Sequence, residues 1–61
     1  MPTTNLIKFK ATFNLGGKTE TRTLLYSESM KQDRNRLWYS VTEALAKWYG
    51  YGFKLINVEE Q

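Results

Sequence analysis

Hydrophobic and polar positions follow three different periods along this chain. From Asn5 they alternate, with Ile7, Phe9, Ala11 and Phe13 on one side and Lys8, Lys10, Thr12 and Asn14 on the other. A repeat of two marks a half-buried strand, and its aromatic side is the one expected to face a core. Asn14-Leu15-Gly16-Gly17-Lys18 breaks the pattern. Because glycine tolerates positive φ, the pair predicts a tight hairpin turn. A phosphate-cradling loop is the competing reading, but the P-loop spacing and its following helix are missing. Thr19 to Tyr26, TETRTLLY, then reads as a second strand rich in β-branched and aromatic residues. Thr19, Thr21, Thr23 and Leu25 share one face; Lys18, Glu20, Arg22, Leu24 and Tyr26 share the other. Its polarity suits an edge.

The period changes at Leu37 to Trp48, LWYSVTEALAKW. Leu37, Val41, Ala44, Leu45 and Trp48 form one apolar stripe at helical spacing, widened by Trp38, Thr42 and Tyr49. Ser40, Glu43 and Lys47 fall on the far side, and Glu43 precedes Lys47 by one favourable helical step. The helix is expected to start between Ser29 and Asp33. Ser29 with Gln32 matches a capping box, Ser27 is the competing cap, and Gly50 is the natural stop. After Gly50, FKLINV from Phe53 to Val58 reads as a third strand, followed by a charged, frayed end. Met1 to Thr4 is expected to be a loose lead-in.

Strand, hairpin, strand, helix, strand predicts an α+β fold, with one long amphipathic helix packed on one face of a three-stranded antiparallel sheet. Strand one is the most apolar and is expected at the centre, giving spatial order 2-1-3. A parallel right-handed crossover beside strand two is the alternative. Residues 1–61 are expected to form a single domain. A chain this short buries only about 60% of its unfolded surface. Nine aromatic residues raise its apolar area.

Nine Lys and Arg against six Asp and Glu give +3. This mild basicity favours anionic partners and excludes an acidic nucleic-acid mimic, yet it is well short of a dense basic stripe. Cysteine is absent, so there are no disulfides and no thiolate metal sites. No apolar run approaches the ~20 residues of a bilayer span, and no signal peptide is visible, so a cytoplasmic, non-membrane protein is expected.

Enzymatic chemistry is not expected. There is no His or Cys, Asp33 is the only Asp, and it stands at a helix start. No ligand cluster suggests a metal, and no cofactor is expected. Binding is the better prospect. If the helix covers one sheet face, Lys8, Lys10, Lys18, Glu20 and Arg22 are expected on the other, joined by Lys54 if Phe53 and Leu55 point inward. Such a face is either an ordinary solvated surface or a platform for phosphate or an acidic protein patch. Only Tyr26 is a candidate for stacking a base, which weakens a single-strand nucleic-acid reading. Strand three poses a conflict: Phe53 and Leu55 take one face, yet Ile56 and Val58 take the other beside Lys54. Either a bulge switches the phase or an apolar pair is exposed at an edge, where it invites a partner. Lys54, Ile56, Asn57, Val58 and Glu59 are therefore the candidate partner-binding residues.

KFKAT at Lys8 to Thr12, the step Tyr26-Ser27-Glu28-Ser29, EALAKW, and GFKLINV from Gly52 to Val58 together support a resemblance. The chain resembles the small host RNA-polymerase inhibitors of T7-like bacteriophages. That resemblance implies a three-stranded antiparallel sheet with one helix. It also implies a role as a phage-type inhibitor or modulator of a host bacterial protein, in the host cytoplasm. Three departures accompany it. The stretch from Tyr26 to Gly52 is longer by roughly two helical turns. The family's acidic strip is thin here. Its two functional arginines flank the valine of the last strand, where this chain has Asn57 and Glu59 around Val58. A host protein is thus the expected partner and nucleic acid the alternative; monomer and homodimer stay open.

Overall fold

Alternation between Ile7 and Phe13 produces β1, Leu6–Leu15, at the centre of an antiparallel sheet of order β2-β1-β3. The computed structural model describes residues 5–61; Met1 to Thr4, with the expected lead-in, lie outside the described residues. β2 is Lys18–Ser27, α1 is Arg34–Tyr49 and β3 is Phe53–Glu60. The α+β architecture and the strand order agree with the sequence reading, and both pairings of β1 are antiparallel.

The β1–β2 connection is a two-residue turn in which Gly16 and Gly17 have φ of 61° and 86°. Both values lie in the left-handed region that glycine adopts freely, and two successive such residues suit a twisted hairpin. The Asn14 carboxamide oxygen accepts from Gly17 N–H at 3.1 Å and closes the turn.

Neither expected serine caps α1. Glu28–Lys31 forms a single 3₁₀ turn, and Asp33 is the cap, its carboxylate accepting from Arg36 N–H at 3.1 Å. A carboxylate there satisfies an orphan amide and complements the helix dipole. Gly50, at φ 71°, ends the helix with its N–H on the Ala46 carbonyl at 2.8 Å.

Leu37, Val41 and Leu45 of α1 bury against Phe9, Ala11 and Phe13 of β1, with Leu24 and Val58 from the flanking strands. Phe13 packs edge-on to Phe53 and tilted to Tyr49, at centroid separations of 6.0 and 5.4 Å. Trp48, expected in this stripe, is instead 50% exposed. The reason is length. Sixteen helical residues span about 24 Å, whereas ten strand residues span about 33 Å. The hairpin therefore outruns the helix, and Trp48 sits where the covered part of the sheet ends.

β3 runs to Glu60 rather than fraying after Val58, and Gln61 N–H still bonds the Lys8 carbonyl at 2.9 Å. Thr12 lies opposite Asn57 but Phe13 opposite Leu55, so Ile56 is an extra residue, a β-bulge. The bulge switches the phase of the strand. Phe53 and Leu55 are half-buried before it, and Val58 is 1% exposed after it.

Candidate functional site

Residues paired across a sheet share a face, so the pairings decide which side chains can act together. Lys8 lies opposite Leu25, Lys10 opposite Thr23 and Glu59, and Lys54 opposite Asn14. Lys8, Lys10 and Lys54 thus occupy the open face, as expected, together with Thr12, Thr19, Thr21, Asn57 and Glu59. Arg22, however, lies opposite Ala11, Glu20 opposite Phe13 and Lys18 opposite Leu15. Lys18, Glu20 and Arg22 belong to the helix-side face, which corrects the expected common basic platform. All three remain exposed, and Arg22 alone of them meets the last turn of α1.

Arg22 has a defined place there. Its guanidinium carbon sits 3.9 Å from the Trp48 ring centroid, and Nη1 donates to Tyr49 Oη at 2.8 Å. This is a cation–π arrangement at the boundary of the core, and it gives half-exposed Trp48 a role. The pairing was not anticipated. Its signal was the alternation that tied Arg22 to Leu24 and Tyr26, both of which face the helix.

The five residues proposed on β3 separate into two groups. Lys54, Ile56, Asn57 and Glu59 are exposed. Val58 is not, so its assignment to the partner surface is corrected: the bulge at Ile56 turns Val58 into the core. What remains is a half-exposed isoleucine, at 50%, with exposed Lys54, Asn57 and Glu59 on the same strand.

Backbone directions complete the picture. Asn5 bonds to Glu28 beyond β2, whereas Lys8 bonds to Gln61 at the end of β3. In an antiparallel sheet these directions alternate along the central strand, so odd residues of β1 serve β2 and even residues serve β3. Val58, opposite Ala11, therefore turns its carbonyl outward, and Arg34 Nη2 donates to that carbonyl at 2.9 Å. Lys31 Nζ lies 3.1 Å from Glu60 Oε1 on the same strand. The outer edge of β3 is thus partly occupied by its own chain. The outward groups of β2, those of Thr19, Thr21, Thr23 and Leu25, carry no hydrogen bond from a described side chain.

Elsewhere, Tyr26 Oη donates to the Ser40 carbonyl at 3.1 Å, and burial raises its pKa above 10.0. Tyr51 Oη donates to Glu43 Oε2 at 3.1 Å, and that bond, followed by the carboxylate's charge, raises the Tyr51 pKa. Among the described residues no pocket forms, no side chain cluster is suited to a metal, and no helix is long and apolar enough to cross a membrane. Leu6 and Leu25 are also exposed on the open face, at 59% and 56%. Compared with protein-family models, curated proteins and solved structures, the chain has no match.

Proposed function

We propose that this chain is a small, non-enzymatic protein-binding module whose partner docks on β3 around Ile56 and on the adjoining open face. The observation that carries this reading is the bulge. It projects a large aliphatic side chain beside Lys54 and Asn57, on a surface that neither α1 nor another strand covers. A desolvated aliphatic at the centre supplies affinity, and the surrounding charged and amide groups select the partner. Because Arg34 occupies the Val58 carbonyl and the bulge interrupts the ladder, docking proceeds through side chains rather than by strand addition.

The sharper form follows from the resemblance: a phage-type inhibitor or modulator acting on a host bacterial protein in the cytoplasm, with RNA polymerase as the first target to test. Asn57 and Glu59 stand where that family has arginines, so the contact chemistry differs even if the target is shared. The double variant Asn57→Arg with Glu59→Arg should raise affinity for polymerase if those positions alone separate this chain from the family.

The second reading is generic nucleic-acid binding by Lys8, Lys10 and Lys54, which do share the open face. It is the weaker one, because Glu59 lies opposite Lys10, and Lys18 and Arg22 lie on the other face. Immobilised protein exposed to bacterial lysate, with and without nuclease, separates the two. A stoichiometric, nuclease-resistant protein supports the first reading. Recovery of nucleic acid alone, lost steeply with added salt, supports the second.

A further inference from the structure

We infer that the outer edge of β2 is a self-association surface, on which β2 of a second copy pairs antiparallel to build a continuous six-stranded sheet. β2 is ten residues long, contains no proline and carries no bulge in its pairing with β1. Such an edge presents a row of unpaired amides and carbonyls, and proteins ordinarily blunt it. Here the outward groups belong to Thr19, Thr21, Thr23 and Leu25. An antiparallel copy must therefore pair odd residues with odd residues to form its hydrogen bonds.

That restriction leaves few registers, and charge chooses among them. Centring the two-fold axis on Arg22 sets Arg22 against Arg22. Centring it on Thr23 sets Arg22 against Leu24 and Glu20 against Tyr26. Centring it on Thr21 sets Glu20 against Arg22 of the second copy, and by symmetry Arg22 against its Glu20. In that register Thr21 meets Thr21, and Thr19 meets Thr23, as hydrogen-bonded pairs on the open face. The Glu20–Arg22 pairs fall at the non-hydrogen-bonded positions, where side chains approach most closely. Opposite charges and threonine pairs across strands are both favourable.

The Arg22 side chain is already ordered within its own chain. It is stacked at 3.9 Å on Trp48 and bonded to Tyr49, so little rotamer freedom remains to be lost. Glu20 is exposed, and none of the described ion pairs or side-chain hydrogen bonds involves it. β3 is excluded from the same role by its bulge and by the Arg34 bond. It would lie at both far edges of the six-stranded sheet, leaving two Ile56 surfaces free.

Sedimentation velocity over a concentration series tests the association, and paired charge reversals test the register. Glu20→Arg alone and Arg22→Glu alone each oppose like charges twice in their homodimers, which should weaken association at least about tenfold. Mixing the two variants restores both attractive pairs in a heterodimer, so the mixture should associate although neither component does. Thr21→Cys supplies an independent readout, since the chain has no native cysteine. On the two-fold axis its Cα atoms would lie about 5.5 Å apart, within the disulfide range of about 4.4–6.8 Å. Mild oxidation should therefore cross-link it quantitatively, whereas Thr19→Cys and Thr23→Cys should cross-link only when mixed. A wild-type chain that sediments as a monomer throughout overturns the inference. So does a dimer that survives Glu20→Arg unchanged, or one in which folded Thr21→Cys stays reduced.

Discussion

β2 and β3 flank the same central strand, yet their outer edges are finished in opposite ways. β3 is held against its own molecule: Val58 is buried under α1, Arg34 bonds the Val58 carbonyl, and Lys31 pairs with Glu60. β2 is anchored only toward its C-terminal end, by Leu24 in the core and Tyr26 on Ser40, with Arg22 resting on Trp48 farther back. Its first half overhangs the helix. A strand clamped by its neighbours offers side chains to a partner, whereas an unclamped one offers backbone. The same short helix creates both situations, because about 24 Å of helix cannot cover both ends of the sheet.

That contrast can be broken most severely through the helix itself. Leu45 is fully buried, and Leu45→Ala should cost roughly 2–5 kcal/mol, the range for truncating a buried leucine. Against a total near the low end of about 5–15 kcal/mol, that would leave much of the protein unfolded. An unchanged melting temperature would mean that α1 packs by another face. Val58→Ala should cost about 2 kcal/mol, by loss of a buried branched side chain, while Thr21→Ala, equally central on the opposite edge, should stay within about 0.5 kcal/mol in the dilute monomer, where the site is exposed. Equal losses from the two would erase the distinction between the strands.

Smaller effects sharpen it. Arg34→Ala removes the donor to Val58 and should cost about 1 kcal/mol, because the freed carbonyl lies at an edge that water can reach. Urea melts of the variant and the wild type check this. The anchor of β2 has a signature in alkaline pH. Burial raises the Tyr26 pKa above 10.0, so the unfolded chain loses that proton first. Stability is then full below about pH 10 and falls as the pH rises past it. Tyr26→Phe should flatten part of this decline in a pH series of thermal melts. Tyr51, whose bond to Glu43 raises its pKa as well, accounts for a further part.

Much of this was legible in the sequence. The period-two run Ile7 to Phe13 identified the central strand, the glycine pair marked the turn, and the helical stripe gave Leu37, Val41 and Leu45 as core. Local pattern is a reliable guide where one face is buried from end to end. It misled where coverage stops partway along a strand. Lys18, Glu20 and Arg22 are polar because they lie at the margin of the helix, with Arg22 against its last turn, not because they face away from it. The alternation alone, joining Arg22 to Leu24 and Tyr26, held the correct assignment. On β3 the conflict between Leu55 and Val58 signalled a bulge or an exposed pair. Only the pairing of Phe13 with Leu55 beside Thr12 with Asn57 resolves it. The Arg34 contact has no sequence signature, and the alternation that put Arg22 on the helix-side face does not name Trp48 as its partner, since both contacts join segments distant along the chain.

The partner surface proposed on β3 is tested most directly by Ile56→Lys, compared with wild type for both melting temperature and capture of a nuclease-resistant protein from bacterial lysate. Ile56 is half-exposed at a bulge, so the variant should fold with nearly unchanged stability. A charge at the centre of the contact should nonetheless abolish capture, because it would be buried there without a partner. A folded Ile56→Lys protein that captures the same partner at wild-type strength would contradict the assignment of this strand to the interface.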